Sequence, residues 1–259
     1  MKIHDGHLGD VDRYIEHQKH ISLADKRAEF DSIMWWLGGF TRIDSTKDIL
    51  EIGTGIGWIP AMCAKKGLRC KGIEISPQLV EYGKAFGKRH GVDVDIELGN
   101  IEDADLGHCR YDVVIATSAF EHVENWRKGF GNVYDALKPG GVLYFYSTNK
   151  FALISGEFRF PLYGWLPNRW RYALRRAAQG EDIMRLGIDF NQFTYPQLRR
   201  TFRGLGFTSV FDMFEILDPS RLRSRRPAKI MAIRMLRSSK LLRAVALTFV
   251  PGTFFICIK

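Results

Sequence analysis

The stretch Asp48-Ile-Leu-Glu51-Ile-Gly53-Thr54-Gly55-Ile-Gly57-Trp58 decides how this 259-residue chain is read. DILEI is a short apolar run that predicts a strand. The glycines after it let the backbone turn sharply and approach a ligand closely as a helix begins. A dinucleotide-binding turn spaces its glycines G-x-G-x-x-G, which here requires glycine at position 58. Trp58 stands there, and the pattern is instead acidic-x-G-x-G-x-G.

On either side of this turn the chain keeps a regular alternation. Apolar runs at 70–75, 93–98, 111–116 and 141–147 predict strands, and residues 57–66, 77–90 and 123–138 predict helices between them. Strands alternating with helices mean a parallel sheet covered on both faces. Residues 10–40 predict one helix ended by Gly38-Gly39, because apolar positions recur there by threes and fours. Residues 208–216 and 252–258 predict two further strands, which brings the sheet to seven.

Composition narrows the class. With 46% hydrophobic and 26% charged residues, disordered, collagen-like and disulfide-scaffold chains are excluded. No apolar run reaches the about 18 residues of a membrane span, and the first residues, MKIHDGHLGDVDRY, lack a signal peptide's apolar core. Four cysteines (63, 70, 109 and 257) and seven histidines show no metal-ligand spacing, so no metal is expected, and reduced thiols point to a cytoplasmic protein.

Charge is uneven. Residues 1–149 carry 18 Lys and Arg against 22 Asp and Glu, whereas residues 150–259 carry 20 against 7. Chemistry is expected in the first part and a partner in the second. The second part holds two excursions from the alternation. Residues 149–193 mix aromatics with arginines, and 217–250 carry nine Lys/Arg and no acid from Arg221 to Arg243. Within the latter, 228–247 reads as one basic amphipathic helix. Lys229, Arg234, Arg237, Lys240 and Arg243 fall on one side, and Met231, Met235, Leu242 and Val245 on the other. Such a helix suits an anionic membrane surface, or simply packs its apolar side on the sheet. Nucleic acid is a further partner the charge allows.

Glu74 closes the second strand, 23 residues after Glu51. A carboxylate there can accept both hydroxyl hydrogens of a ribose. Taken with GNIED (99–103), YDVVIATSAFEHV (111–123), LKPGG (137–141) and FTYPQLRRTFRGLGF (193–207), the glycine turn and the Glu74 strand end make the chain resemble class I S-adenosylmethionine-dependent methyltransferases. In motif style it is most similar to those acting on small molecules such as quinone precursors.

The resemblance implies a Rossmann-like α/β fold, doubly wound, with a seven-stranded mostly parallel sheet and an antiparallel last strand. It divides the chain into a helical cap (1–45), a cofactor-binding core (46–150), an aromatic and basic lid (151–193), and a completion of the core (194–259) with a basic helical insertion at about 217–250. Both excursions are then expected to roof the active site. Gly53, Thr54, Gly55 and Gly57 would hold the methionine part of S-adenosylmethionine, with Glu51 orienting its ammonium. Glu74 would hold the ribose and Ile75 the adenine face. Asn100, Ile101 and Glu102 would sit at the adenine edge, and Thr117 and Phe120 near the sulfonium. Tyr163, Trp165 and Arg169 are expected at the acceptor. His122 is either the general base or a local packing residue. Three functions stay open: an enzyme methylating a lipophilic metabolite, an RNA or protein methyltransferase, or a non-catalytic cofactor-binding protein.

Overall fold

The computed structural model describes residues 11–155, 158, 160–179, 191–217 and 227–259. Parts of the cap, lid and basic insertion, Arg221 to Arg226 among them, lie outside the described residues.

Seven strands form one sheet: β1 (Asp48–Ile52), β2 (Arg69–Glu74), β3 (Asp95–Leu98), β4 (Tyr111–Thr117), β5 (Leu137–Thr148), β6 (Ser209–Asp212) and β7 (Gly252–Ile258). Their order is β3-β2-β1-β4-β5-β7-β6. All pairings are parallel except those of β7, which runs antiparallel between β5 and β6. The chain order reverses between β1 and β4, and in open parallel sheets ligands bind at that point, beyond the strands' carboxyl ends.

Side-chain alternation divides the core into two layers. Leu50, Ile52, Val114 and Phe145 face one side. Ile49, Val113, Ile115 and Tyr144 face the other. The first layer is covered by α5 (Trp126–Ala136) and α7 (Tyr195–Leu205), the second by α2 (Leu23–Leu37), α3 (Trp58–Lys65) and α4 (Pro77–Arg89).

Three sequence expectations need correction. The helix expected over 10–40 is two, α1 (Val11–Gln18) and α2, because Ser22 caps α2 in a reciprocal box with Asp25. The strand expected over 208–216 stops at Asp212. Its carboxylate accepts from the amides of Phe214 and Glu215 and starts the short helix α8 (Met213–Ile216). The single helix expected over 228–247 is α9 (Pro227–Ser238) and α10 (Lys240–Phe249), divided where the Ser239 hydroxyl caps the Leu242 amide at 3.3 Å. A further helix, α6 (Asn168–Gln179), precedes α7.

The expected division of faces is not kept either, although Arg234, Arg237 and Lys240 are exposed as a basic side would be. Met231, Met235, Leu242 and Val245 are exposed, whereas Arg243 is buried. Its guanidinium lies 3.2 Å from Asp212 and 2.7 Å from Glu215, and both acids also pair with Arg199. Two acids at the end of β6 therefore draw an arginine inward. Nearby, the buried Asn149 side chain donates toward the carbonyls of Leu247, Thr248 and Val250, tying the end of α10 to the end of β5.

Candidate active site

At the carboxyl end of β1 the chain turns through Gly53, Gly55 and Gly57 at φ values of 67°, 54° and 76°. The three glycines do different things. A Cβ at Gly53 would lie 2.6 Å from that of Ala119, so Gly53 lets the loop after β4 approach β1. A Cβ at Gly57 would meet Ile96 at 2.9 Å and the Gly83 backbone at 3.0 Å, so Gly57 brings α3 against α4. Gly55 faces open space toward Tyr14, whose hydroxyl would lie 3.4 Å from such a Cβ.

Two cavities meet over this turn. The first, of about 320 Å³, is lined by Ile73, Ile75, Leu79 and Ile101 together with Glu74, Asn100, Glu102 and His122. The second, of about 510 Å³, is more polar, with Glu51, Thr54 and Thr117 beside Lys26, Glu29, Tyr144 and Tyr146. Tyr14, Gly53, Gly55 and Ser118 line both.

Glu74 is buried and accepts from three backbone amides: Gly55 at 2.7 Å, Ile75 at 2.9 Å and Ser76 at 3.1 Å. Burial raises its pKa in spite of these bonds. Three amides leave about one of the carboxylate's four lone-pair sites for a further donor. Glu51 is fully enclosed, and burial pushes its carboxyl well above the ordinary range against a hydrogen bond from Thr54. A cation reaching Glu51 would favour the ionised form. Tyr14 is pushed up to about 12 by burial and by the charges of Glu74 and Glu51.

Other expected residues take narrower parts. The Asn100 side-chain oxygen accepts from the Glu102 amide at 3.0 Å, and Glu102 accepts from the Asn125 amide at 3.0 Å. Both therefore also brace the loop that lines the first cavity. His122 closes a short 3-10 turn, Phe120–His122, and donates its amide to the Ala119 carbonyl at 3.0 Å. The half-buried Asn191 side-chain amide holds this turn by donating to the carbonyls of Phe120 and Val123.

Five expected site residues line neither cavity. Gly57 serves helix packing. Phe120 lies in the core, stacked on Phe130 at 4.0 Å between ring centres. Tyr163 is buried against Phe158, while Trp165 and Arg169 are exposed on the outer side of the lid. Residues 180–190 and 218–226 of the expected roof lie outside the described residues. Among the described residues, the cavity walls come from positions up to Tyr146 and the cover from α1 and α2. The excursions spring from β5 and from between β6 and β7, toward one edge of the sheet, whereas the glycine turn sits on β1.

Sequence reasoning missed Tyr14, which passes as one more apolar helix position, and Ser118. Ser118 is a non-glycine residue at φ 50°, held by its amide's bond to the Tyr146 carbonyl at 2.9 Å. Such strain persists where the surroundings enforce it, often at functional sites. Nothing in TSAF signals it.

Strand order, the reversed β7 and an acid-bearing glycine turn at the switch point together define a class I methyltransferase fold, the type that uses S-adenosylmethionine. Residues 50–145 match the model of the methyltransferase domain family. A ubiquinone biosynthesis O-methyltransferase of Methylobacterium sp. (strain 4-46) is 28% identical over 143 residues, covering 53% of this chain and 56% of that protein. The chain spans about half the length of the curated relatives it matches. Among solved structures, a SAM-dependent methyltransferase from Archaeoglobus fulgidus has a TM-score of 0.57 at 14% identity, covering 95% of this chain and 99% of that one. Haemonchus contortus phosphoethanolamine N-methyltransferase 2, in complex with phosphomonomethylethanolamine and S-adenosylhomocysteine, has a TM-score of 0.56 at 19% identity, covering 88% and 52%.

Proposed function

We propose that the protein is an S-adenosylmethionine-dependent methyltransferase acting on a hydroxyl of a lipophilic small molecule held at a membrane surface. The observation that carries this reading is the pair of cavities meeting at Tyr14, Gly53, Gly55 and Ser118. One has apolar walls and a buried acid, as an adenosine needs. The other carries polar groups at its mouth and the enclosed Glu51 at its base, as an amino-acid end and an acceptor need.

The residues present fit the cofactor. Glu74 has acceptor capacity for a ribose hydroxyl, Ile75 and Ile101 offer an apolar slot, and Gly55 leaves room beside its backbone. Glu51 and Thr54 take the ammonium end. When bound, the cofactor supplies a methyl group on a cationic sulfur, open to in-line displacement. The chain's own contribution is alignment of the acceptor oxygen, exclusion of water beneath α1 and α2, and removal of one proton. We assign the proton to His122, on the wall of the first cavity beside Ser118. Thr117 and Tyr146 face the acceptor in the second.

The names of the curated relatives support an oxygen acceptor on a lipophilic ring. The basic balance of residues 150–259 supports an anionic surface as the acceptor's source. Among the described residues no helix is long and apolar enough to cross a membrane, so the contact proposed is peripheral.

Incubating the purified chain with methyl-labelled S-adenosylmethionine and a lipid extract tests the reading. An organic-phase product with the label on oxygen is expected, and label in RNA or protein alone overturns it. His122→Ala is expected to lower turnover by about 10²–10⁴ with cofactor affinity retained. A loss below about tenfold returns His122 to local packing.

A further inference from the structure

Of the fourteen large apolar side chains exposed among the described residues, twelve fall between Leu153 and Phe249, which makes their exposure a regional property. The lid and α10 bring part of this set together. The Leu153 amide donates to the Phe249 carbonyl at 3.4 Å, and Trp165 stacks on Phe249 with ring centres 6.0 Å apart. Ile154 pairs with Pro161 in an isolated antiparallel bridge. Along α10, Leu241, Val245 and Phe249 recur every four residues as one exposed stripe, while Arg243 and Leu247 on the opposite side are buried. Leu241 is 75% exposed and Ile154 57%, against 6% for Arg243.

This helix is turned against the usual rule. An arginine goes inward and leucines go out, and the fold spends Asp212 and Glu215 to keep it so. Exposed cations flank these segments along the chain: Arg234, Arg237 and Lys240 run up to Leu241, and Arg169 follows Trp165. A second copy of the chain is a poor occupant, because an isologous contact would set these cations against themselves. An apolar stripe flanked along the chain by cations complements an anionic lipid leaflet, which accepts the first into its acyl boundary and the second at its headgroups.

We infer that the face formed by Leu153, Ile154 and Trp165 with the outer side of α10 docks on an anionic bilayer, inserting these three and Leu241, Val245 and Phe249 to the headgroup–acyl boundary. The inference deepens the lipophilic-acceptor reading, on which it rests for its purpose. Leu153 follows the end of β5 at Thr148 and lies only a few residues after Tyr146 of the acceptor cavity, so docking would set that cavity close to the leaflet. The binding energy comes from apolar insertion, and the cations add attraction that salt screens.

The test uses the full chain with vesicles of phosphatidylcholine alone and of phosphatidylcholine mixed with phosphatidylglycerol. The double variant Leu241→Glu/Val245→Glu is expected to lower partitioning into both vesicle types by at least about tenfold. The triple variant Arg234→Glu/Arg237→Glu/Lys240→Glu is expected to lose only the phosphatidylglycerol-dependent part. Brominated phosphatidylcholine should quench tryptophan fluorescence, with the quenching reduced in Trp165→Phe. Cofactor affinity, measured by calorimetry, checks that each variant is folded. Wild-type partitioning by the Leu241/Val245 double variant overturns the insertion while leaving an electrostatic membrane contact. Wild-type protein that ignores both vesicle types at low salt, or that forms a dimer abolished by Leu241→Glu/Val245→Glu, overturns the docking altogether. Methylation of a water-soluble analogue by that same wild-type protein would then keep the enzymatic reading separate from the failed one.

Discussion

The two halves of the sheet solve opposite problems. The half built from β3, β2, β1 and β4 is acidic, buries Glu51 and Glu74, and opens two cavities between its strand ends and α1. The half built from β5, β7 and β6 carries the excursions of residues 150–259, which hold 20 Lys and Arg against 7 Asp and Glu, and it presents apolar side chains to the outside. In the first half, Glu51 and Glu74 are both raised by burial, and neither is paired with a basic side chain in the bonds that hold it. In the second, Asp212 and Glu215 are already satisfied by Arg199 and Arg243. Buried charge with spare bonding capacity marks a site, and buried charge fully paired marks a brace.

The strongest way to break this comparison is Arg243→Ala. Removing one partner of a buried ion network costs about 3–5 kcal/mol. The melting transition is therefore expected to fall sharply while calorimetric cofactor affinity in the folded protein stays unchanged. A stable variant with weakened cofactor binding would mean the two halves are one functional unit. Glu74→Ala sharpens the contrast from the other side. Charged hydrogen bonds to a ligand are worth roughly 1.5–3 kcal/mol, so cofactor dissociation should weaken about 10- to 150-fold. An unchanged constant would reduce Glu74 to a clasp for the amides of Gly55, Ile75 and Ser76.

The smallest effect lies at the seam. Asp112 on β4 binds Lys47 at 3.1 Å, the Asp48 amide at 3.0 Å and Lys138 of β5 at 2.7 Å, at the end of the sheet away from the cavities. Burial alone would raise its pKa, but these hydrogen bonds overcome it and hold the group at about 2. The folded value lies below the unfolded one of about 4, so its stabilisation is full above that value and is lost as the pH falls from about 4 to about 2. Thermal unfolding followed across that window should show a step that Asp112→Asn flattens, with a cost at neutral pH of about 1–3 kcal/mol. An acid profile identical in the variant would remove the seam from the account.

Most of the first half was legible in the sequence because local chemistry dictates it. The β1 run and its glycines need no distant partner to be read, and Glu74 follows at a strand end. The division of labour among the glycines was not legible, since Gly57 looks like Gly55 until α4 arrives with Gly83. Tyr14 was hidden for a similar reason: its partners Glu51 and Glu74 come from β1 and β2. The second half was harder. Helical periodicity groups Arg243 with Lys240 and Arg237 but does not say which side faces inward. Asp212 and Glu215 decide that, and they entered the reading as part of a strand that in fact ends at Asp212.

The position of β7 also bears on how the chain reaches this state. β6 has β7 as its sheet neighbour, and the free edge of β5 is closed by the same strand. During synthesis β6 emerges well before Gly252, so Val210 and Phe211 must wait with an open edge until the crossing through α9 and α10 is complete. Meanwhile the β1–β5 portion can already condense through its largely sequential strand–helix units. Pairings of such long sequence separation form late and expose unsatisfied edges while they wait. Assembly of the β5–β7–β6 half, carrying the apolar face, is thus expected to be the slow step of folding and the stage most open to aggregation.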